Sequence, residues 1–422
     1  MRVLPVRMSR EGSSHLQRIN CEMDGKRPGV LTKLRWSLPW LMRYPLWRAR
    51  EVVRRATEQS DFQHLIIVVA NHFEPGWNEE CRTFSWDTQL KRLDRWCEQA
   101  RVIGNAVRDA DNTPFRHTNF YPAEQYHAPL LERMAELQAE GLGEVEIHLH
   151  HGVEEPDTAD NLRRALVEFR DVLAEEHRCL SRMTNDGPPM YAFVHGNWAL
   201  ANSAGGRYCG VDSEMQILAE TGCYADFTLP SAPDQSQVAR INAVYQSGHP
   251  LHQPKPHRSG PGLRVGDAPT LPIIFTGPLV FDWRRRVRGV PVPRLDNGAL
   301  IANYPTDIGR FNNWANARIS IGGRPDWVFI KLFCHGFFDF DQDAMIGDSM
   351  RRFWTEALEL GERTGRFQIH FASAREAFNM AMAAIEGQSG NPGAYRDYRL
   401  RQIMQEQAGR KHDQQVERAG VV

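Results

Sequence analysis

From residue 64 onward, short apolar runs rich in β-branched residues alternate with longer segments whose apolar residues recur at helical spacing. No other feature restricts the fold of this chain as tightly. "HLIIVVA" (64–70) reads as a strand buried on both faces, because no polar residue interrupts the run after its first position. Further strands are expected at 115–121, 144–149, 190–196, 224–229, 326–333 and 366–372. Helices are expected between them, at 86–107, 123–141, 158–177, 213–222, 348–365 and 373–387. Alternation of this kind predicts an α/β fold with a parallel sheet, open or closed into a barrel. In either form, functional side chains gather at the C-terminal ends of the strands.

The flanks differ in character. Residues 1–60 form a basic, aromatic-rich extension in which "LRWSLPWLMRYPLWRAREVVRR" (34–55) mixes Trp, Leu and Arg. Pro39 and Pro45 break any long helix there. The segment is expected to pack as an arm on the main domain, with residues 30–50 a candidate for peripheral membrane contact. Residues 230–326, rich in Pro and Gly, read as a loop-rich insertion within a domain spanning 61–386, and residues 387–422 as a polar tail. A net charge of −1 over 422 residues gives no whole-chain argument for nucleic acid or for an acidic partner. Seven cysteines, odd in number and without a CxxC, suit a reducing compartment. The opening segment lacks the apolar core of a signal peptide, and no apolar run reaches the ~18 residues a spanning helix needs. The expectation is a cytoplasmic protein, at most peripheral to the inner membrane.

Four expected strands end in histidine-bearing segments: "NHFEPGW" (71–77), "HLHHG" (148–152), "HGNW" (195–198) and "CHG" (334–336). In "EVEIHLHHG" (144–152), a period of two sets Val145, Ile147 and Leu149 on one face and Glu146, His148 and His150 on the other. With the apolar face on the helix layer, His148 and His150 aim at one point, as a metal-binding His-x-His pair does. His151 falls past the strand and is a candidate substrate contact. His72 and Glu74 are likewise two apart. Imidazole with carboxylate suits Zn2+, Mn2+, Fe2+ or Co2+ rather than Mg2+ or Ca2+, which prefer oxygen shells. His195 and His335 are candidates for the proton transfer that a hydrolase acting on a carbonyl needs. Trp77 and Trp198 are candidates for stacking on a sugar ring, and Asp226 and Asp282 are carboxylates at strand-like ends. Cys334 reads as packing. No GxxxxGK[ST], strand-linked GxGxxG or GxSxG occurs, which removes the usual support for nucleotide, dinucleotide and serine-hydrolase chemistry.

Taken together, these motifs resemble the polysaccharide deacetylase superfamily. "EIHLH" (146–150) is similar to that family's Glu-Ile-(Gly)-x-His strand end, and "LFCHG" (332–336) to its late Leu-x-His. The resemblance implies a distorted (β/α)7-type barrel, one bound divalent metal and removal of acetyl groups from N-acetylated sugars. It carries a metal role onto His150 and the leaving-group acid role onto His335. Where the family has an Asp-Asp pair, this chain has "NHFEPGW", which is similar to the His-x-Asp-Pro-Gly-Trp segment of the retaining α-mannosidases. That likeness implies metal ligation by His72 and Glu74. The expectation is a metal-dependent hydrolase, with zinc the first choice, deacetylating a carbohydrate substrate. His72, Glu74, His148 and His150 are its metal residues, Glu146 or Glu74 its base, and His335 and His195 its other proton carriers. The alternatives are a glycosidase using a carboxylate pair such as Asp226 and Asp282, and a non-catalytic carbohydrate-binding or assembly protein.

Overall fold

The computed structural model describes residues 29–405 apart from 59, 78–82 and 249. The first part of the N-terminal extension and the end of the tail therefore lie outside the described residues. Nine strands form the main sheet: β1 (Gln63–His72), β2 (His117–Pro122), β3 (Gly143–Leu149), β4 (Tyr191–His195), β5 (Cys223–Asp226), β6 (Ala243–Tyr245), β7 (Ile273–Thr276), β8 (Trp327–His335) and β9 (Phe367–Ala372). Their order is β8-β1-β2-β3-β4-β5-β7-β6, with β9 alongside the N-terminal half of β1. Every pairing is parallel except β6 with β7. The sheet curls into a half-barrel and does not close, so the expected complete barrel is not formed.

The helices of eight residues or more are α1 (Val30–Leu41), α2 (Tyr44–Thr57), α3 (Trp86–Ala106), α4 (Ala128–Ala139), α5 (Ala159–Glu175), α6 (Glu214–Thr221), α7 (Ile308–Ala315), α8 (Asp348–Thr364) and α9 (Ala374–Ile385). Four start where the sequence supplies an oxygen for an orphan N–H: Ser85 accepts from Thr88, Thr158 from Asn161, Asp307 from Arg310 and Ser373 from Glu376. Strand β1 shows how the layers divide. Leu65, Ile67 and Val69 pack outward in one cluster with Trp96 and Trp354, while Ile66, Val68 and Ala70 pack inward with Phe120, Phe227 and Phe329. The inner cluster also takes Ala377, Phe378 and Ala381 of α9, which is buried along almost its whole length and touches β1, β4, β5 and β9. A helix on the inner face fills space that side chains alone occupy in a small closed barrel, which accounts for the open sheet.

The 230–326 segment is more than loops: it supplies β6, β7, α7 and a short antiparallel pair, Val280–Asp282 with Arg294–Asp296. Strands of three or four residues are too short to carry a readable period. Residues 387–405 pack on the domain, burying Leu400 and Ile403. In the N-terminal arm, α1 contains Pro39 and ends two residues later, and α2 carries Pro45 in its first turn. Trp40 is buried against Phe281, ring centroids 5.8 Å apart, whereas Val30, Leu31, Leu34, Leu38 and Met42 are exposed. Among the described residues, no helix is long and apolar enough to cross a membrane.

Candidate metal centre

The alternation along β3 sets up the site. Val145, Ile147 and Leu149 join the outer, helix-side cluster. Glu144, Glu146 and His148 follow one another up the other face. Glu144 pairs with Arg375 of α9, Nη2 to Oε1 2.9 Å. Glu146 accepts hydrogen bonds from the Ala192 N–H at 2.6 Å and from the Tyr224 hydroxyl. His148, the third, reaches the strand end.

There, His148 Nδ1 donates to the Val194 carbonyl at 2.6 Å, which leaves Nε2 as a lone pair 3.3 Å from Glu74 Oε1. His150 is held the same way: Nδ1 meets Glu124 Oε1 at 2.6 Å, and Nε2 lies 3.2 Å from Glu74 Oε1. The His72 ring sits 5.0 Å from that of His148, and its buried Nε2 has no hydrogen-bond partner. Ligand atoms of His72, Glu74 and His148 all lie within 4.8 Å of one another. Four ligands about 2.0–2.1 Å from a tetrahedral metal stand about 3.3 Å apart, and the contacts at Glu74 match that edge. The donor set and the unpartnered nitrogen both fit a divalent transition ion.

Electrostatics point the same way. Burial opposes charge on Glu74, but the adjacent His148 and His150 rings outweigh it and hold its carboxyl well below the usual range. Burial also opposes charge on His150, yet Glu124 and Glu74 push its ring up to about 10. For His72, burial and then the neighbouring His335 and His148 drive the pKa well down, so the ring is neutral. The cavity favours positive charge between its groups while keeping one imidazole free of a proton.

His335 ends β8 directly opposite His72 in the strand register, with ring centroids 4.6 Å apart. It is half-buried and stacked on Phe338. Trp198 lies 6.2 Å from His72 and 5.9 Å from His335, and Trp77 lies 5.1 Å from His150. The other sequence candidates fall elsewhere. His195 and His151 face each other, Nε2 to Nε2 3.0 Å, in a separate buried group. Glu146 is committed to Ala192 and Tyr224, and burial raises its pKa to about 8. Asp226 is fully buried, accepts from the Thr228 hydroxyl at 2.7 Å and is raised to about 7 by burial. Asp282 is bound by Arg284 and Tyr304 at 2.7 and 2.8 Å.

Two residues near the cluster escaped sequence reasoning. Glu124 lies in a single turn following β2, and applying the strand-end rule to "FYPAEQYH" (120–127) flags it. Lys331, fully inside β8, donates to the Leu229 carbonyl at 3.0 Å, and burial lowers it to about 7. An inward lysine in an apolar strand was the available signal. No family model, curated protein or solved structure matches this chain.

Proposed function

We propose that the chain is a metal-dependent hydrolase whose most specific reading is deacetylation of an N-acetylated sugar or polysaccharide. One observation carries it: Nε2 of His148 and of His150 converge on Glu74 Oε1, while their opposite nitrogens are fixed by Val194 and Glu124. His72, Glu74, His148 and His150 would hold the ion, with zinc the first choice for this N/O set. A divalent ion there supplies Lewis acidity toward a carbonyl and lowers the pKa of water. The protein's own groups do the rest. The Val194 carbonyl and Glu124 fix ring orientation and tautomer. Trp77 and Trp198 flank the cluster and offer faces to a sugar ring. His335, half-buried beside His72, takes up a proton from the attacking water and passes it to the departing amine nitrogen.

With Glu146 committed to Ala192 and Tyr224, proton transfer falls to His335. The glycosidase reading has less support, because Asp226 and Asp282 are each engaged by local donors and no contact joins them. The proposal extends to peripheral membrane contact through residues 30–50, where Leu31 and Met42 stand exposed beside the exposed Arg35 and Arg43. The test of function is acetate release from N-acetylated oligosaccharides by protein loaded with Zn2+, Mn2+ or Co2+. Release abolished in His150→Ala and His148→Ala is the expected result. No release with any of the three metals would overturn the deacetylase reading.

A further inference from the structure

A second group of ligating side chains lies beside the first and takes no part in the reading above. His151 follows β3, His195 ends β4, Cys209 lies in the loop before α6 and Glu214 opens that helix. All four are buried, and their ligand atoms lie within 4.8 Å of one another. His195 Nδ1 donates to the Gly196 carbonyl, and His151 Nδ1 to Asp157 Oδ2 at 3.0 Å. That leaves His151 Nε2, His195 Nε2 and Glu214 Oε1 facing one another at 3.0, 3.1 and 3.3 Å. A single hydrogen on one imidazole satisfies one of these three contacts fully and leaves lone pairs opposed in another. One cation at their centre satisfies all three. Cys209 Sγ, 3.4 Å from Glu214 Oε2, closes the fourth side. Tetrahedral zinc with nitrogen or oxygen at about 2.0–2.1 Å and sulfur at about 2.3 Å requires edges of about 3.3 and 3.5 Å. A thiolate and a carboxylate also cancel the charge of a divalent ion, so a fully buried site carries no net charge.

A further buried histidine lies within electrostatic range of the same cluster. His257 is fully buried, its electrostatic neighbours include Glu214 and His195, and neither ring nitrogen has a hydrogen-bond partner among the described residues.

We infer that His151, His195, Cys209 and Glu214 form a second, closed zinc site. With four protein ligands it keeps no position for water, so its role is structural. It fastens the 199–213 loop to the ends of β3 and β4, next to His150 and Trp198 of the first centre.

The test uses full-length protein loaded with Co2+. A thiolate ligand gives a near-ultraviolet charge-transfer band that nitrogen and oxygen ligands do not, and the first centre contains no cysteine. The band is expected in wild type, retained in Glu74→Gln, which disables the first centre, and absent in Cys209→Ser. Zinc analysis should find one equivalent remaining in Glu74→Gln. Should Cys209→Ser not fold, wild type and Glu74→Gln decide alone, since Cys209 is the only cysteine in a ligand cluster among the described residues. Folded protein that takes up Co2+ without the band, or a band that survives Cys209→Ser, would overturn the second site and leave the first untouched.

Discussion

Gly196 sits where the chain passes over His150. A Cβ added there would lie 2.4 Å from His150 Cδ2 and 2.8 Å from its Cα. Because one of those atoms is backbone, a rotamer change alone does not relieve the clash. Gly196→Ala is therefore expected to displace the His150 ring from Glu74 and weaken zinc at the first centre about 10–100-fold, the usual cost of disturbing what orients a ligand. Competition with a chromophoric chelator measures it, and unchanged affinity would remove His150 from the ligand set. Glu146 gives the converse case. A Gln amide at 146 still accepts from the Ala192 N–H and now donates to the Tyr224 hydroxyl. Glu146→Gln should therefore keep both thermal midpoint and rate near wild type, whereas Glu146→Ala should cost about 2–4 kcal/mol in a denaturant melt. A rate loss of about 10²–10⁴-fold in the Gln variant would instead make Glu146 the general base.

At the scale of elements, what was legible follows from length and period. The long strands β1, β3 and β8 and the helices between them announce themselves, because seven to ten residues of one period outweigh local noise. The facing of Glu146 and His148 came from that period as well. What it could not give was partnership across elements. His148 and His151 look alike in "HLHHG", yet they serve different clusters because the chain turns after Leu149. Glu214 reads as an ordinary first-turn acid complementing a helix dipole, and nothing in its neighbourhood shows that two histidines face it. Likewise α9 is apolar over most of its length, as a buried helix is, but only packing shows that it lies inside the sheet. The arm tests a reading that rests on composition rather than on period. If the exposed apolar face of α1 touches membrane, wild type sediments with anionic vesicles and less so as salt rises. Leu31→Glu combined with Met42→Glu should abolish that sedimentation, and wild type that stays in the supernatant at low salt rejects the contact.

The whole molecule is organised from two ends of one sheet. His64 and His72 lie eight residues apart on β1, about 26 Å at strand rise. Around His64 the polar groups are saturated rather than open. His64 Nδ1 meets His370 Nε2 at 2.9 Å, and His370 Nδ1 meets Asp111 at 2.7 Å. Arg396 then reaches Asp109 at 3.1 Å, Asp111 at 3.3 Å and Glu376 at 3.1 Å. Asp109, Asp111 and His370 thus have metal-like spacing, but Arg396 already supplies the cation. Burial opposes the charge on Glu376, and Arg116, Arg396 and Arg375 outweigh it, holding its pKa below the ordinary 4.5. The unfolded chain then takes up the proton first, so this stabilisation is complete above about pH 4.5 and is lost as pH falls below it. Denaturant midpoints should be level from about pH 7 to 5 on this account and decline in more acid solution. Arg396→Ala leaves three carboxylates short of a partner and should cost about 3–5 kcal/mol. It should also flatten the acid limb, since Glu376 then titrates closer to its unfolded value. Zinc content should not change, because sites this far apart without shared partners act independently. Loss of zinc in Arg396→Ala would show instead that the two ends of the half-barrel are coupled, through α9 as the element that touches both β9 and β1, the strand that carries the proposed ligand His72.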